Sequence, residues 1–172
     1  MSFTPVVPFG GYPGWSFLIR SREAQKAAFV ASASVQRDEA YFREKIGGVS
    51  TAQALVADRR LLSVALAAFG LEADIDNRYF LRKVLEDGTL KSDALGNKLA
   101  DKRYLEFSKA FGFGDYATPR TVLSDFADTI LASYETRRFE AAVGAQDNSM
   151  RLALNAEREL GALARRAVSD DA

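Results

Sequence analysis

Residues 58–71 read DRRLLSVALAAFGL, and residues 101–113 read DKRYLEFSKAFGF. How this pair is read decides the fold. The first places Leu62, Leu66 and Phe69 at helical spacing, continuing a face begun by Leu55. Both stretches close on Ala-Phe-Gly, where the glycine can take the left-handed backbone that stops a helix. The match extends outward. Tyr41-Phe42 and Lys45-Ile46 precede the first copy, and Tyr79-Phe80 and Lys83-Val84 precede the second. Ser50 and Ser92 stand as matching caps, and Ala57-Asp58 matches Ala100-Asp101. The second copy is longer by Glu86-Asp87-Gly88-Thr89. A partial third echo is Phe139 with Val143-Gly144, set like Phe42 with Ile46-Gly47. One helical hairpin cannot bury its apolar face alone, so two copies are expected to pack together. The repeats, at about 41–71 and 79–113, therefore predict a duplicated helical hairpin inside a compact multi-helix bundle.

The rest of the chain is also helical in pattern. Residues 15–33 and 35–46 form the first two expected helices, the second closed by Gly47-Gly48. Ser50 with Gln53 reads as a capping box for a third helix running to Phe69. Asp76 is the expected cap of a fourth, ending before Gly88. Ser92 is the expected cap of a fifth, which breaks near Asp101 and resumes to Phe111. Thr118-Pro119 reads as a cap and first helical residue for a helix carrying Val122, Phe126, Ile130 and Tyr134. Gly144, or the stretch Gln146-Asp147-Asn148, ends it, and a last helix covers 148–167. No stretch alternates with period two, so the fold class is all-α with about seven or eight helices. Residues 1–14 form an apolar arm, irregular because of Pro5, Pro8, Pro13, Gly10, Gly11 and Gly14. Residues 15–172 are expected to be a single domain.

The chain has 172 residues, 48% of them hydrophobic and 27% charged, an ordinary globular balance. At this length folding buries roughly 70% of the surface of the unfolded chain, so no staples are required. The 23 basic and 23 acidic residues cancel, and no basic stripe exists, which argues against nucleic acid as a partner. There is no His and no Cys. A Ser-His-Asp triad, a thiolate nucleophile, a disulfide and a Cys/His zinc site are therefore excluded. The N-terminus lacks the basic and continuous apolar regions of a secretory signal, and no apolar run reaches membrane-spanning length. A cytoplasmic location is expected.

Three segments resemble functional motifs, and each has a plainer structural reading. Asp74-Ile75-Asp76-Asn77 begins like a calcium loop, but Arg78 and Tyr79 fall where Asp, Asn or Gly is needed, and a helix cap explains it better. Gly112-Phe113-Gly114-Asp115 contains G-x-G without a third glycine and follows a helix, so it reads as a connecting turn. Asp58 and Asp101 would suit acid–base work as a pair, yet a repeated residue more simply has a repeated structural role. Catalytic, cofactor and metal residues are therefore assigned to none. Tyr12, Trp15 and Phe17 form an aromatic group expected to anchor the arm in the core. The last helix mixes Met150, Leu152, Leu154, Leu160 and Leu163 with Arg151, Arg158, Arg165 and Arg166, a composition suited to packing on the body, to binding in a partner's groove or to self-association. The interaction candidates are Tyr12 and Trp15, where the arm meets the body, and Asn148 and Arg151, at the start of the last helix.

The segments GYPGWSFLIRS, VQRDEAYFREKIGG, DRRLLSVALAAFGL, FGFGD and RRFEAAVGAQDNSMRLALN resemble, in order, the family catalogued as domain of unknown function 1217. The resemblance runs from about Gly11 to Leu163. It implies an all-helical fold without an assigned activity, in a family found mainly in alphaproteobacteria and often encoded among flagellar genes. No catalytic residues carry over. The resulting expectation is a non-enzymatic interaction protein with a protein partner, a flagellar component being one such partner. The alternative is a carboxylate-based enzyme or small-ligand-binding helical domain.

Overall fold

The computed structural model describes residues 3–170, and among these residues the fold is all-α. Nine α-helices follow in order: α1 (Gly11–Val30), α2 (Ala33–Lys45), α3 (Ala52–Ala57), α4 (Arg59–Phe69), α5 (Arg78–Asp87), α6 (Leu95–Lys98), α7 (Arg103–Phe111), α8 (Phe126–Gln146) and α9 (Asn148–Asp170). Short 3-10 turns lie at Ile46–Gly48, Glu72–Asp74 and Arg120–Val122.

The helix count exceeds the expectation because expected helices are cut or delayed. The stretch 50–69 divides at Asp58, whose carboxylate accepts the N–H groups of Arg60 (3.0 Å) and Leu61 (3.1 Å) and so starts α4 afresh. Ser50 is not the cap of the preceding helix; the Thr51 hydroxyl accepts the Ala54 N–H instead. Gln53, expected in a capping box with Ser50, instead accepts a hydrogen bond from Arg82. Asp76 does not cap α5 either, since its carboxylate is drawn 2.7 Å from Arg59. Ser92 falls outside α6, whose first residue, Leu95, donates its N–H to Asp87. After Thr118-Pro119 the chain makes only a 3-10 turn, because Leu123 is extended (φ −69°, ψ 139°), and α8 opens at Phe126. At the N-terminus α1 starts at Gly11, four residues before the expected Trp15, with Pro13 inside its first turn where a missing N–H costs nothing.

The chain divides into two compact units, residues 33–137 and a second made of 1–32 with 138–172. In the first, α2 packs on α4, α3 on α4 and α5, α5 on α6 and α7, and α4 on α7. Phe42, Leu62, Leu66, Leu81, Phe107 and Phe111 are completely buried there. Each such side chain contributes roughly 1.5–3 kcal/mol through burial. Aromatic edges run on from Phe69 to Phe107 (5.5 Å), Phe107 to Phe111 (5.2 Å) and Phe111 to Phe126 (5.1 Å). The two Ala-Phe-Gly words play one role: Gly70 (φ 71°) and Gly112 (φ 70°) are both left-handed caps, of α4 and α7. The four residues added to the second copy also gain a purpose. Asp115 accepts the Thr89 N–H, the Thr89 hydroxyl (2.8 Å) and the Leu90 N–H (3.1 Å). Gly114 lies so close to the Glu86 and Gly88 backbone that no Cβ fits. The G-x-G-D stretch is thus the clasp of a turn.

In the other unit, α1 and α9 are joined by an ion pair between Arg22 and Glu157 (2.8 Å). The C-terminal part of α8 holds α9 through Glu140, buried, and Arg158 at 3.0 Å. Phe29 meets Phe139 edge-on at 6.0 Å. The arm lies along α1. The buried Gln25 side chain accepts the Val6 N–H (2.7 Å) and donates to the Val6 carbonyl (3.1 Å), acting as a strand partner would.

Candidate interaction face

The four candidate residues fall on the two helix starts of the second unit. α1 folds back under its own arm: a Cβ on Gly14 would overlap the Phe9 carbonyl and come 3.0 Å from the Met150 Cε. The small residue thereby lets the first turn of α1 meet the first turn of α9. Tyr12 and Trp15 stand at that start of α1. Tyr12 is 80% exposed and Trp15 half-buried, so Tyr12 does not anchor the arm in the core; Gln25 holds the arm instead. The polar side chain succeeds where the aromatic does not because the arm's extended backbone needs partners for its N–H and C=O groups.

At the start of α9, Asp147 accepts the N–H groups of Ser149 (2.8 Å) and Met150 (3.3 Å), a regular N-cap. Asn148 then accepts two hydrogen bonds from Arg151, at 3.0 and 2.8 Å. The Arg151 stem crosses Gly144, where an added Cβ would come 3.0 Å from Arg151 Cβ. Asn148 and Arg151 are therefore brought together, and they brace the turn between α8 and α9. Asn148 remains exposed and Arg151 half-buried.

Further apolar side chains of this unit are exposed. Val6 (53%), Phe9 (62%), Leu152 (53%), Leu160 (66%) and Leu163 (58%) are all exposed, while Met150 and Leu154 are buried. At about 100° per residue Leu152, Leu160 and Leu163 lie away from the face of Met150 and Leu154, whereas Val168 shares that face and is exposed because residues 163–169 are exposed on all sides.

The unit formed by residues 33–137 holds the features relevant to carboxylate chemistry. A cleft of about 430 Å³ is lined by Phe69, Phe126 and Ile130, with Glu106, Lys109, Arg120 and Asp125 among its polar groups. Glu39, on α2, is buried, and one of its carboxyl oxygens has no hydrogen-bond partner. Burial chiefly, then the charge and hydrogen bond of Glu135, push its pKa up to about 7 against the pull of Arg43. Arg43 is ion-paired with Asp128. Glu39 is not among the residues lining the cleft. Asp58 and Asp101 do not form a pair for proton transfer. Asp58 accepts from the Tyr41 hydroxyl (2.7 Å) and caps α4, and Asp101 takes the Arg103 N–H and guanidinium. Asp74, at the start of the calcium-like segment, accepts from Asn77 and from Tyr104, whose phenol is pushed up to about 12 by burial and then by that bond. Among the described residues no group of three or more carboxylates is placed to hold a metal, and no helix is long and apolar enough to cross a membrane.

No curated protein matches the chain. A solved structure, the X-ray crystal structure of protein AGR_C_984 from Agrobacterium tumefaciens, is similar over 91% of this chain and 70% of its own. The TM-score is 0.78 and the sequence identity 29%. The model of the family described as "Protein of unknown function (DUF1217)" matches residues 68–168, more than half of the chain. Taken with the all-helical fold, that match establishes that this chain belongs to the DUF1217 family.

Proposed function

We propose that this protein works by binding another protein rather than by catalysis, with the arm and the outer surface of α9 as the contact. One observation carries the reading: Val6, Phe9, Tyr12, Leu152, Leu160, Leu163 and Val168 are exposed on the unit of 1–32 with 138–172, against Tyr79, Leu90, Tyr116, Val122 and Leu123 on the larger unit of 33–137. Exposed apolar surface of this kind marks contact sites when it is grouped. Tyr12 and Trp15 supply the rigid aromatic area typical of contact residues, and Asn148 and Arg151 a polar rim. The flagellar association implied by the family resemblance makes flagellar components the first partners to test, at the cytoplasmic side of that assembly.

The test is a clean deletion strain, examined for swimming and for filaments by electron microscopy. Loss of filaments, restored by the wild-type gene but not by a Tyr12→Ala/Leu152→Glu allele of equal abundance, supports the reading. Normal filaments and swimming remove its flagellar part. Capture of flagellar components by the wild-type protein and equally by the double variant removes the assigned surface.

The unit of residues 33–137 favours a second reading at one point, the cleft of about 430 Å³, which is large enough for a small ligand. Its weakness as an enzyme site is physical. The perturbed carboxyl of Glu39 and the open cleft do not coincide, whereas acid–base catalysis needs them together.

A further inference from the structure

The outer face of α9 has a self-complementary pattern. Ala156, Leu160, Leu163 and Ala167 are all exposed and succeed one another at spacings of four, three and four residues. On a helix they fill an arc of about 60°, centred about 130° round the helix from the buried Met150 and Leu154. The order Ala-Leu-Leu-Ala reads the same in both directions. In a two-fold contact residue i meets j of the other copy and j meets i, so an antiparallel register sets Leu160 against Leu163 and Ala156 against Ala167, like against like. The flank carries a matching feature: Glu159 and Arg166 lie seven residues apart along one edge of the stripe. When two such helices run antiparallel, the Glu159 edge of each faces the Arg166 edge of the other. The Glu159 side chain keeps 60% exposure while it contacts Arg158, so it remains within reach of a second partner.

From this the geometry points to a second copy of the same chain as the occupant of the stripe, docked as an antiparallel α9 pair. Leu160 of one copy packs against Leu163 of the other, and the alanines at both ends let the axes approach to about 8 Å. A single pair of short stripes buries less than the ~1,600 Å² of a standard interface. The dimer is therefore weak, with dissociation in the micromolar range, on the order of 10 µM. The inference rests on α9 being a contact surface, as in the reading above, but the two fail separately. A monomer that still captures its partner sinks self-association alone, and a dimer that captures nothing sinks the partner reading alone.

The experiment is analytical ultracentrifugation of the full chain from about 1 to 500 µM, a range that brackets the expected constant. The expected result is a shift from an 18.8 kDa monomer to a dimer. Leu160→Glu/Leu163→Glu should stay monomeric throughout with unchanged helical circular dichroism. Glu159→Arg and Arg166→Glu should each weaken the dimer about tenfold, and the double exchange should return it to within a few-fold of wild type. The chain has no cysteine, so Ala156→Cys and Ala167→Cys report orientation directly. An antiparallel pair gives the mixed disulfide when the two variants are combined, and a parallel pair gives the two homodisulfides. A monomer at every concentration, a dimer that survives the double glutamate variant, or homodisulfides alone would overturn the inference.

Discussion

Glu39 binds its proton more tightly in the folded protein than in the unfolded chain, because burial and the neighbouring Glu135 both disfavour its charge. Its folded pKa is raised from 4.5 to about 7, so its contribution to stability is fully present below pH 4.5 and is lost as pH rises through 7. Glu39→Gln keeps the neutral form at every pH. The variant should match wild type near pH 4.5 and be more stable by about 1–3 kcal/mol at pH 8, measured by urea unfolding at both values. Asp115 gives the opposite test of a single side chain. It accepts three hydrogen bonds from Thr89 and Leu90, which hold the added turn of the second copy against the turn after α7. Asp115→Ala should cost about 2 kcal/mol in urea unfolding, since it leaves those donors unsatisfied. A change under about 0.5 kcal/mol would mean that water replaces the carboxylate fully. The sequence had shown the aspartate after G-x-G but not its partners, which lie about 25 residues earlier in the chain.

The helices themselves were legible where the local signals agreed. Gly70 and Gly112 stop α4 and α7 as their Ala-Phe-Gly setting predicts, and the break before α7 falls at Asp101 as expected. A Cβ on Gly70 would meet the left-handed backbone penalty and approach the Arg137 guanidinium to 2.8 Å. Gly70→Ala should therefore destabilise by about 1–2 kcal/mol, read from the thermal midpoint and urea unfolding together. Asp58→Ala should cost a similar amount, about 0.5–2 kcal/mol, through the lost cap of α4. The misread elements share a cause. Ser50, Asp76 and Ser92 are each the right residue type for a cap, but a competing neighbour takes the role or the side chain: Thr51, Arg59 and Asp87 respectively. Single-residue signals do not rank such competitors, because the ranking depends on which atoms tertiary contact brings near.

At the scale of the molecule, the reading of residues 15–172 as one domain makes a calorimetric prediction for the intact chain. One unfolding transition is expected, with calorimetric and van't Hoff enthalpies equal. Two resolved transitions, assigned to residues 33–137 and to the termini-containing unit, would replace that reading with independent domains. Sequence alone fixes the all-α class, because 3.6-residue periodicity and helix stops are local properties that survive in the linear text, while the family follows from the ordered segments it shares and from the family match over residues 68–168. The sequence also excluded the His- and Cys-dependent chemistries outright. Packing in three dimensions settles that Gln25 rather than Tyr12 fastens the arm, and that Asn148 is occupied by Arg151. It also settles that Leu160 and Leu163 look outward while Met150 and Leu154 do not. The physical reason is common to all three. Burial and hydrogen-bond satisfaction are properties of what surrounds a side chain, and those surroundings come from residues far away along the chain.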